Sequence, residues 1–434
     1  MAREYVPEWQ EDLFEFFVES SAGDGGLDPE AQKHEAPNFL RHVVSLSASK
    51  IADGLIDPKL VLSWLLSHLG AGAGLTGLLV PIRESGALLP QLFTAGAIRG
   101  MARRKWAWAA GAAGQGLSAA GMVLAALTLD GKSAGVAIVI LLGVLALCRS
   151  VCSASYKDVL GKTVGKSRRG AATGAASSAA SVGVIVFALV LLTGWGDRFV
   201  IVLAAMSLAA VAWIVGALMF SRLEETASPR EGGLSGWEAV QQLRLLQDRP
   251  QLRRFVIVRT FLVGTALAPP YLVVLSSQGD TGALAGLGAL VLASSGASLV
   301  SSWVWGRMSD RSSRWVLMLS GVAGATALGL ALLVWTLGFA GTVWAMPVVL
   351  FGLMVAYHGV RQGRSTHLVD MAGPDDRAAY TAVANTAVGA GLLVAGGAFA
   401  GVAAVSVPLV IGVFAVMCLV GAWLALGLDE VQGD

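Results

Sequence analysis

The chain has 434 residues, 55% of them apolar and only 14% charged, with a mean hydropathy of +0.68. A soluble chain of this size carries roughly a quarter charged residues, so the composition excludes a soluble globular enzyme and predicts an integral membrane protein. The net charge is only +2, no nucleic-acid partner is expected, and the useful signal lies in how the charges are distributed.

Residues 1–38 hold ten acids and two bases, and Trp9, Leu13, Phe16 and Phe17 fall on one helical face among them. An acidic amphipathic helix is repelled by an anionic inner leaflet, so this segment is expected as a cytoplasmic tail, either mobile or docked on the basic cytoplasmic loops as a partner site or lid, and not as an anchor. It lacks the basic-then-apolar opening of a cleaved signal. Twelve apolar segments of spanning length follow, at 42–68, 75–98, 106–129, 134–156, 171–195, 199–220, 255–277, 284–305, 315–335, 342–360, 378–399 and 407–427. The longest and most polar connection, 222–254, places Trp237, Val240 and Leu243 at helical spacing before Pro250, which predicts a surface helix. The expected domains are a tail (1–38), a six-helix bundle (39–221), a linker (222–254), a second six-helix bundle (255–427) and a short cytoplasmic tail (428–434).

The 54 glycines, about 12% against a usual ~7%, suit close packing of membrane helices. Cys148, Cys152 and Cys418 all lie inside apolar runs, so they are expected as buried small side chains, with no disulfide and no metal site. The loops at 99–105, 157–170, 222–254, 306–314 and 361–377 contain 21 lysines and arginines, and the alternate loops only Lys132 and Arg198. Basic loops stay cytoplasmic, so both termini are expected on the cytoplasmic side of the inner membrane.

Between the apolar runs Leu284–Trp305 and Trp315–Trp335 stands Gly306-Arg307-Met308-Ser309-Asp310-Arg311-Ser312-Ser313-Arg314. This reads as a tight loop at a charged membrane face, with Gly306 letting two helices approach. About 210 residues earlier, Gly96-Ala97-Ile98-Arg99-Gly100-Met101-Ala102-Arg103-Arg104-Lys105 takes the same place, with Gly100 where the aspartate would be. Arg149, Ser153 and Asp158 likewise recur as Arg361, Ser365 and Asp370, 212 residues on. Two echoes at nearly one separation indicate a duplicated six-helix unit.

The 306–314 stretch resembles the Gly-x-x-x-Asp-Arg-x-x-Arg loop of the major facilitator superfamily, and Arg149 resembles its fourth-helix arginine, with Ser153 where a glycine is usual. The resemblance implies an all-α integral membrane fold, twelve transmembrane helices in two pseudo-symmetric six-helix bundles, with a central site that opens alternately to either side. It also implies that Gly96, Arg103, Asp158, Gly306, Asp310, Arg311, Arg314, Arg361 and Asp370 form ion pairs and loop contacts that latch the cytoplasmic side. With its aspartate lost at Gly100, the first half is expected to be the less firmly pinned. The fifth segment contains no proline, which departs from the Gly-Pro pair of many drug antiporters of the superfamily.

Charges within a spanning helix cost about 2.5–3.5 kcal/mol each on insertion scales and tend to face a cavity. Lys50, Asp53 and Asp57 fall on one helical face, around Gly54 and Pro58, which weaken the helix. Arg83 and Glu84, adjacent and pointing about 100° apart, need separate partners. With Arg149, Tyr271 and Asn385 these are the expected substrate and proton cavity, Asp53, Asp57 or Glu84 exchanging a proton and the basic groups holding an anion. Paired structural charges are the alternative. His358 and Arg259 are expected as a structural histidine and an interface-reaching arginine.

The reading is a secondary transporter of a small anionic or zwitterionic solute, coupled to protons and surrounded by membrane lipid, with no cofactor. A lipid or lipid-precursor flippase and a non-transporting scaffold of the same fold stand as alternatives. No Gly-x-x-x-x-Gly-Lys-Ser/Thr loop, zinc-protease signature or Gly-x-Ser-x-Gly motif occurs, so ATP coupling and enzymatic hydrolysis are not expected.

Overall fold

The computed structural model describes residues 29–90, 97–98, 100–166, 168–193, 196–227, 241–277, 286–372 and 377–432, together with positions 27 and 94. Every regular element among them is helical. The acidic helix around Trp9, the linker positions Trp237 and Val240, and Gly96 lie outside the described residues.

The first half comprises α1 (Glu35–Leu55), α2 (Val61–His68), α3 (Ala73–Leu88), α4 (Lys105–Thr128), α5 (Gly131–Thr163), α6 (Arg169–Leu192) and α7 (Arg198–Ser221). The second half comprises α8 (Pro250–Leu262), α9 (Gly264–Leu267), α10 (Pro269–Ser276), α11 (Gly286–Arg311), α12 (Ser313–Thr336), α13 (Ala345–Met371), α14 (Arg377–Ala403) and α15 (Val407–Ala425). Nine of the described helices, taking α8–α10 as one, are long and apolar enough to cross a membrane. The expected spans that fall short are α1 with α2, α3 and α13, which carry Lys50, Asp53, Arg83, Glu84, Arg361 and Arg364.

α1 begins at Glu35, ahead of the expected boundary at 39, because the Glu35 carboxylate is buried and accepts from the Gly165 amide and from Arg168. It ends at Leu55, just past Gly54, and the chain turns through Ile56–Leu60. There Pro58 has no amide proton to continue the ladder, Asp57 Oδ1 accepts the Lys59 N–H at 3.0 Å, and the Pro58 carbonyl accepts from Ser63 Oγ at 2.8 Å. The matching span of the second half is broken too, into α8, α9 and α10, before the Pro269–Pro270 pair. Pro250, expected to end the linker helix, instead occupies the first turn of α8, where a missing N–H costs nothing.

The two halves repeat one contact scheme. α4 packs on α5 as α12 packs on α13; α7 packs on α4 and α1 as α15 packs on α12 and α8; α3 packs on α5 as α11 packs on α13. Small residues allow the close approaches: a Cβ at Gly111 would strike Cys152 and the Cys148 carbonyl, and one at Gly321 would strike Ala422 and the Cys418 carbonyl. All three cysteines are free, and Cys152 and Cys418 are buried.

The halves join through α3 against α14 and α6 against α11, with α10 touching α2 and α3. These seams hold the end remote from the basic loops: Gly74 meets Ala400 and Ala404, Gly288 meets Ala188 and Leu191, and the Tyr271 ring lies on Gly77. At mid-depth the Pro81 ring fits against Gly396, and Ser85 Oγ donates to the Gly389 carbonyl at 2.8 Å. A partly open cavity lies between the halves beside these contacts.

Candidate functional site

A cavity of about 40 Å³, partly open to solvent, lies between the halves, with Glu84 and Leu88 on one wall and Arg259, Tyr357, Arg361 and Arg364 on the other. On the first-half side Asp53 is held by two guanidiniums, Arg83 at 2.7 Å and Arg149 at 2.9 Å, one to each carboxylate oxygen. Arg149 is steadied by Ser49 Oγ at 3.1 Å, and that hydroxyl is also bonded by Trp213 Nε1 at 3.3 Å. The trio α1–α3–α5 thus presents a carboxylate clamped by two cations, each only partly exposed.

Lys50 reaches across to Ser177 Oγ and the Thr173 carbonyl on α6, and the charges of Arg149, Arg361 and Asp53 bear on it. Lys59, in the break between α1 and α2, is buried and crosses to the second half, its Nζ 3.5 Å above the Tyr357 ring of α13. Ammonium over an aromatic face is attracted by the ring quadrupole, so this contact fastens the broken helix to the opposite wall. Glu84 turns into the cavity, within the fields of Lys59, Arg364, Arg83 and Arg361. Of the charged groups, Arg259, Arg361 and Arg364 line the cavity against Glu84, three cations to one carboxylate, and Arg83 precedes Glu84 on the same helix while Lys59 lies on the Tyr357 ring.

The structure brings Asp53, Arg83 and Arg149 into direct contact, with Glu84 next to Arg83 on the cavity wall and Lys50 turned to Ser177. Asp57 is placed differently. The helix stops at Leu55, so Asp57 does not continue the Lys50–Asp53 face but folds over the Lys59 amide. Tyr271 is buried against Gly77 in the seam of the closed end, away from the cavity wall. Asn385 accepts from Arg259 Nη2 at 3.4 Å. Arg361 sits on the cavity wall rather than with the loop residues.

The loop set needs further correction. Gly306 to Arg311 complete the last turns of α11, leaving Ser312 as the only residue between it and α12. A Cβ at Gly306 would meet open space, so this glycine permits no helix approach here. Arg103, Asp310 and Arg311 are exposed. Asp158 pairs with Arg104 and, at 2.6 Å, with Lys162, all within the first half. Arg314 reaches Glu430 at 3.6 Å, and Asp370 accepts from Gln432 at 2.7 Å, both within the second half.

Tyr357, Arg259 and Arg364 are the site residues that sequence reasoning missed or misplaced. Tyr357, Arg361 and Arg364 at i, i+4 and i+7 form one helical face, a legible signal. Nothing in the sequence marks the burial of Arg259.

The sequence profile described as Major Facilitator Superfamily matches residues 47–357. Solved structures of similar fold include a point mutant of the nucleoside transporter NupG, with a TM-score of 0.70, 13% identity and coverage of 90% of this chain and 100% of that one. The inward-open xylose transporter XylE from E. coli gives a TM-score of 0.63 at 12% identity, covering 91% and 97% of the two chains. A POT family transporter in complex with 5-aminolevulinic acid gives 0.63 at 12% identity, covering 89% and 95%. No curated protein sequence matches the chain. With most of its length within the family profile and its helices arranged as in these transporters, the chain belongs to the major facilitator superfamily.

Proposed function

We propose that the protein carries a small anionic or zwitterionic solute across a membrane by alternating access, unchanged, and that Asp53 couples this movement to protons. The observation that carries the reading is the partly open cavity between the halves, walled by Arg259, Arg361 and Arg364 against Glu84, with the Arg83–Asp53–Arg149 clamp on the first-half helices beside it. Its charge excess attracts an anion and focuses it toward mid-depth. Asp53 already engages the Arg83 and Arg149 guanidiniums. A solute anion that draws Arg83 or Arg149 away leaves this carboxylate without its counter-charge, and a proton then neutralises it. Proton and solute enter together in that scheme, and the Arg83–Asp53–Arg149 clamp reforms after both have left.

The excess of basic residues in alternate loops argues for those loops and both termini on the cytoplasmic side of the inner membrane, and the cavity is read as opening to that side. The cleft as seen is then the inward-facing state, and the α3–α14 and α6–α11 seams are the contacts that part on the outward swing. In proteoliposomes, solute uptake should rise with an imposed proton gradient, and Asp53→Asn should abolish that response while leaving exchange measurable. Equal uptake by the wild type with and without the gradient defeats the proton role and leaves facilitated diffusion.

A further inference from the structure

Arg259 is the anomaly of the cavity. It is only 4% exposed, lies on α8 within a membrane-spanning segment, and has its Nε without any hydrogen-bond partner. Its contacts are one long bond to Asn385 Oδ1 at 3.4 Å and the Phe255 ring one turn back, 5.6 Å from Cζ. The neighbouring charge that bears on it, Arg364, has the same sign. The carboxylate of the cavity, Glu84, lies in the fields of Lys59, Arg364, Arg83 and Arg361 instead. A buried guanidinium with no counter-ion among the described residues is costly, and this one borders the cavity. Around it the wall is apolar, with Leu88, Leu262, Val388 and Leu392 facing the same space.

We propose that this second-half pocket takes an organic anion with an apolar body, its head group on Arg259 and Arg364 and its hydrocarbon part along Leu88, Leu262, Val388 and Leu392. The inference deepens the transporter reading of the same cleft and rests on it for the fate of the bound molecule. It assigns the two walls different work: the Asp53 clamp of the first half answers to charge, and the second half selects by charge and apolar surface together. Hydrophilic anions lacking a body are poor ligands, because they leave the apolar wall in water.

The test uses the purified full chain in lipid nanodiscs and the series methanesulfonate, butanesulfonate and hexanesulfonate, which stay ionised at all working pH values. Hexanesulfonate should raise the melting temperature, since a ligand of the folded form stabilises it. Affinity should climb by about fourfold per added methylene. Hexanol and hexylamine should give no shift. Arg259→Gln should weaken hexanesulfonate binding by about tenfold or more, with a ligand-free melting temperature equal to or above that of the wild type, because the unpaired charge is gone. Arg364→Gln should weaken it as well, and decides the matter if the first variant fails to fold. Equal affinity along the series, an equal shift by hexanol, or unchanged binding in Arg259→Gln or Arg364→Gln would overturn the proposal. Binding without any hexanesulfonate flux in proteoliposomes would count against the transporter reading alone, whereas flux of another solute with no sulfonate binding would count against this inference alone.

Discussion

At the basic end the two halves solve one structural problem with different chemistry. In the first, the chain leaving α7 turns back so that buried Glu225 accepts the Arg104 and Lys105 amides at 3.0 and 2.8 Å, capping α4. Lys162 approaches the same carboxylate at 3.4 Å and Asp158 at 2.6 Å, and Lys105 Nζ donates to the Leu223 carbonyl at 2.6 Å. In the second half the chain leaving α15 returns in the same way, but the cap is an amide: Gln432 Oε1 accepts the Ser313 N–H at 2.7 Å and its hydroxyl at 2.8 Å, while Nε2 donates to Asp370 at 2.7 Å. His367 Nδ1 completes the group, 2.9 Å from Ser313 Oγ. Glu225 and Gln432 are 207 residues apart, and the helix starts they cap 208. The duplicated geometry has survived while a buried ionic cap in one copy became a neutral, more exposed one in the other. Orphaned helix amides need an acceptor in both copies; the charge on that acceptor is a separate choice.

The two caps should differ most when they are deleted. Glu225→Ala strips the α4 amides of their acceptor and leaves Lys162 with Asp158 alone, a loss of about 3–5 kcal/mol, in the range for breaking a buried charged pair. Thermal unfolding in detergent or nanodiscs reads it, and a loss below about 1 kcal/mol would show that the buried carboxylate adds nothing beyond the neutral version. Glu225→Gln, which gives the first half the second half's chemistry, should retain the cap and lose the ionic part, about 2 kcal/mol. Gln432→Ala removes only neutral hydrogen bonds at a half-buried site and should cost about 1–2 kcal/mol. If Gln432→Ala proved as damaging as Glu225→Ala, the distinction between the halves would lie in packing and not in charge.

Much of this architecture is legible from the residues, and the failures have physical causes. The apolar runs and the two echoes indicate helices and a duplication, because spanning lengths and period are local properties. Gly54 and Pro58 predict the weakened helix realised at Ile56–Leu60. Lys50, Asp53, Arg83 and Arg149 are conspicuous because ionised groups are rare in spans. Which carboxylate meets which arginine depends on the tilt of α1 against α3 and α5, and that is not local. Glu225 sits in a stretch that reads as a polar linker, so its burial is invisible until α7 is docked beside α4. Arg259 escapes for a similar reason: from sequence it lies close enough to a helix end to reach water, and α8 in fact begins early enough, at Pro250, to carry it inward. Gly306 misleads in the opposite sense, since its motif predicts a close approach that the structure does not contain.

The smallest effect is the most diagnostic, because it turns the neutral cap toward the ionic one. Gln432→Glu keeps an acceptor for Ser313 but sets a second carboxylate where Nε2 now donates to Asp370. The first half tolerates its acid because Lys162 serves both Glu225 and Asp158; at the second, Arg314 is already engaged by Glu430 and the Leu428 carbonyl. Asp370 is exposed, so solvent screens the repulsion and the penalty at neutral pH should be about 0.5–1 kcal/mol. The repulsion opposes ionisation in the folded chain only, so the penalty is present while both carboxylates are ionised and fades as pH falls toward about 4, where one of them takes a proton. Melting curves of Gln432→Glu and wild type should therefore converge between pH 7 and pH 4. A constant gap across that range would mean that the substituted side chain turns away from Asp370, and that the neutrality of the second cap is not imposed by its neighbour.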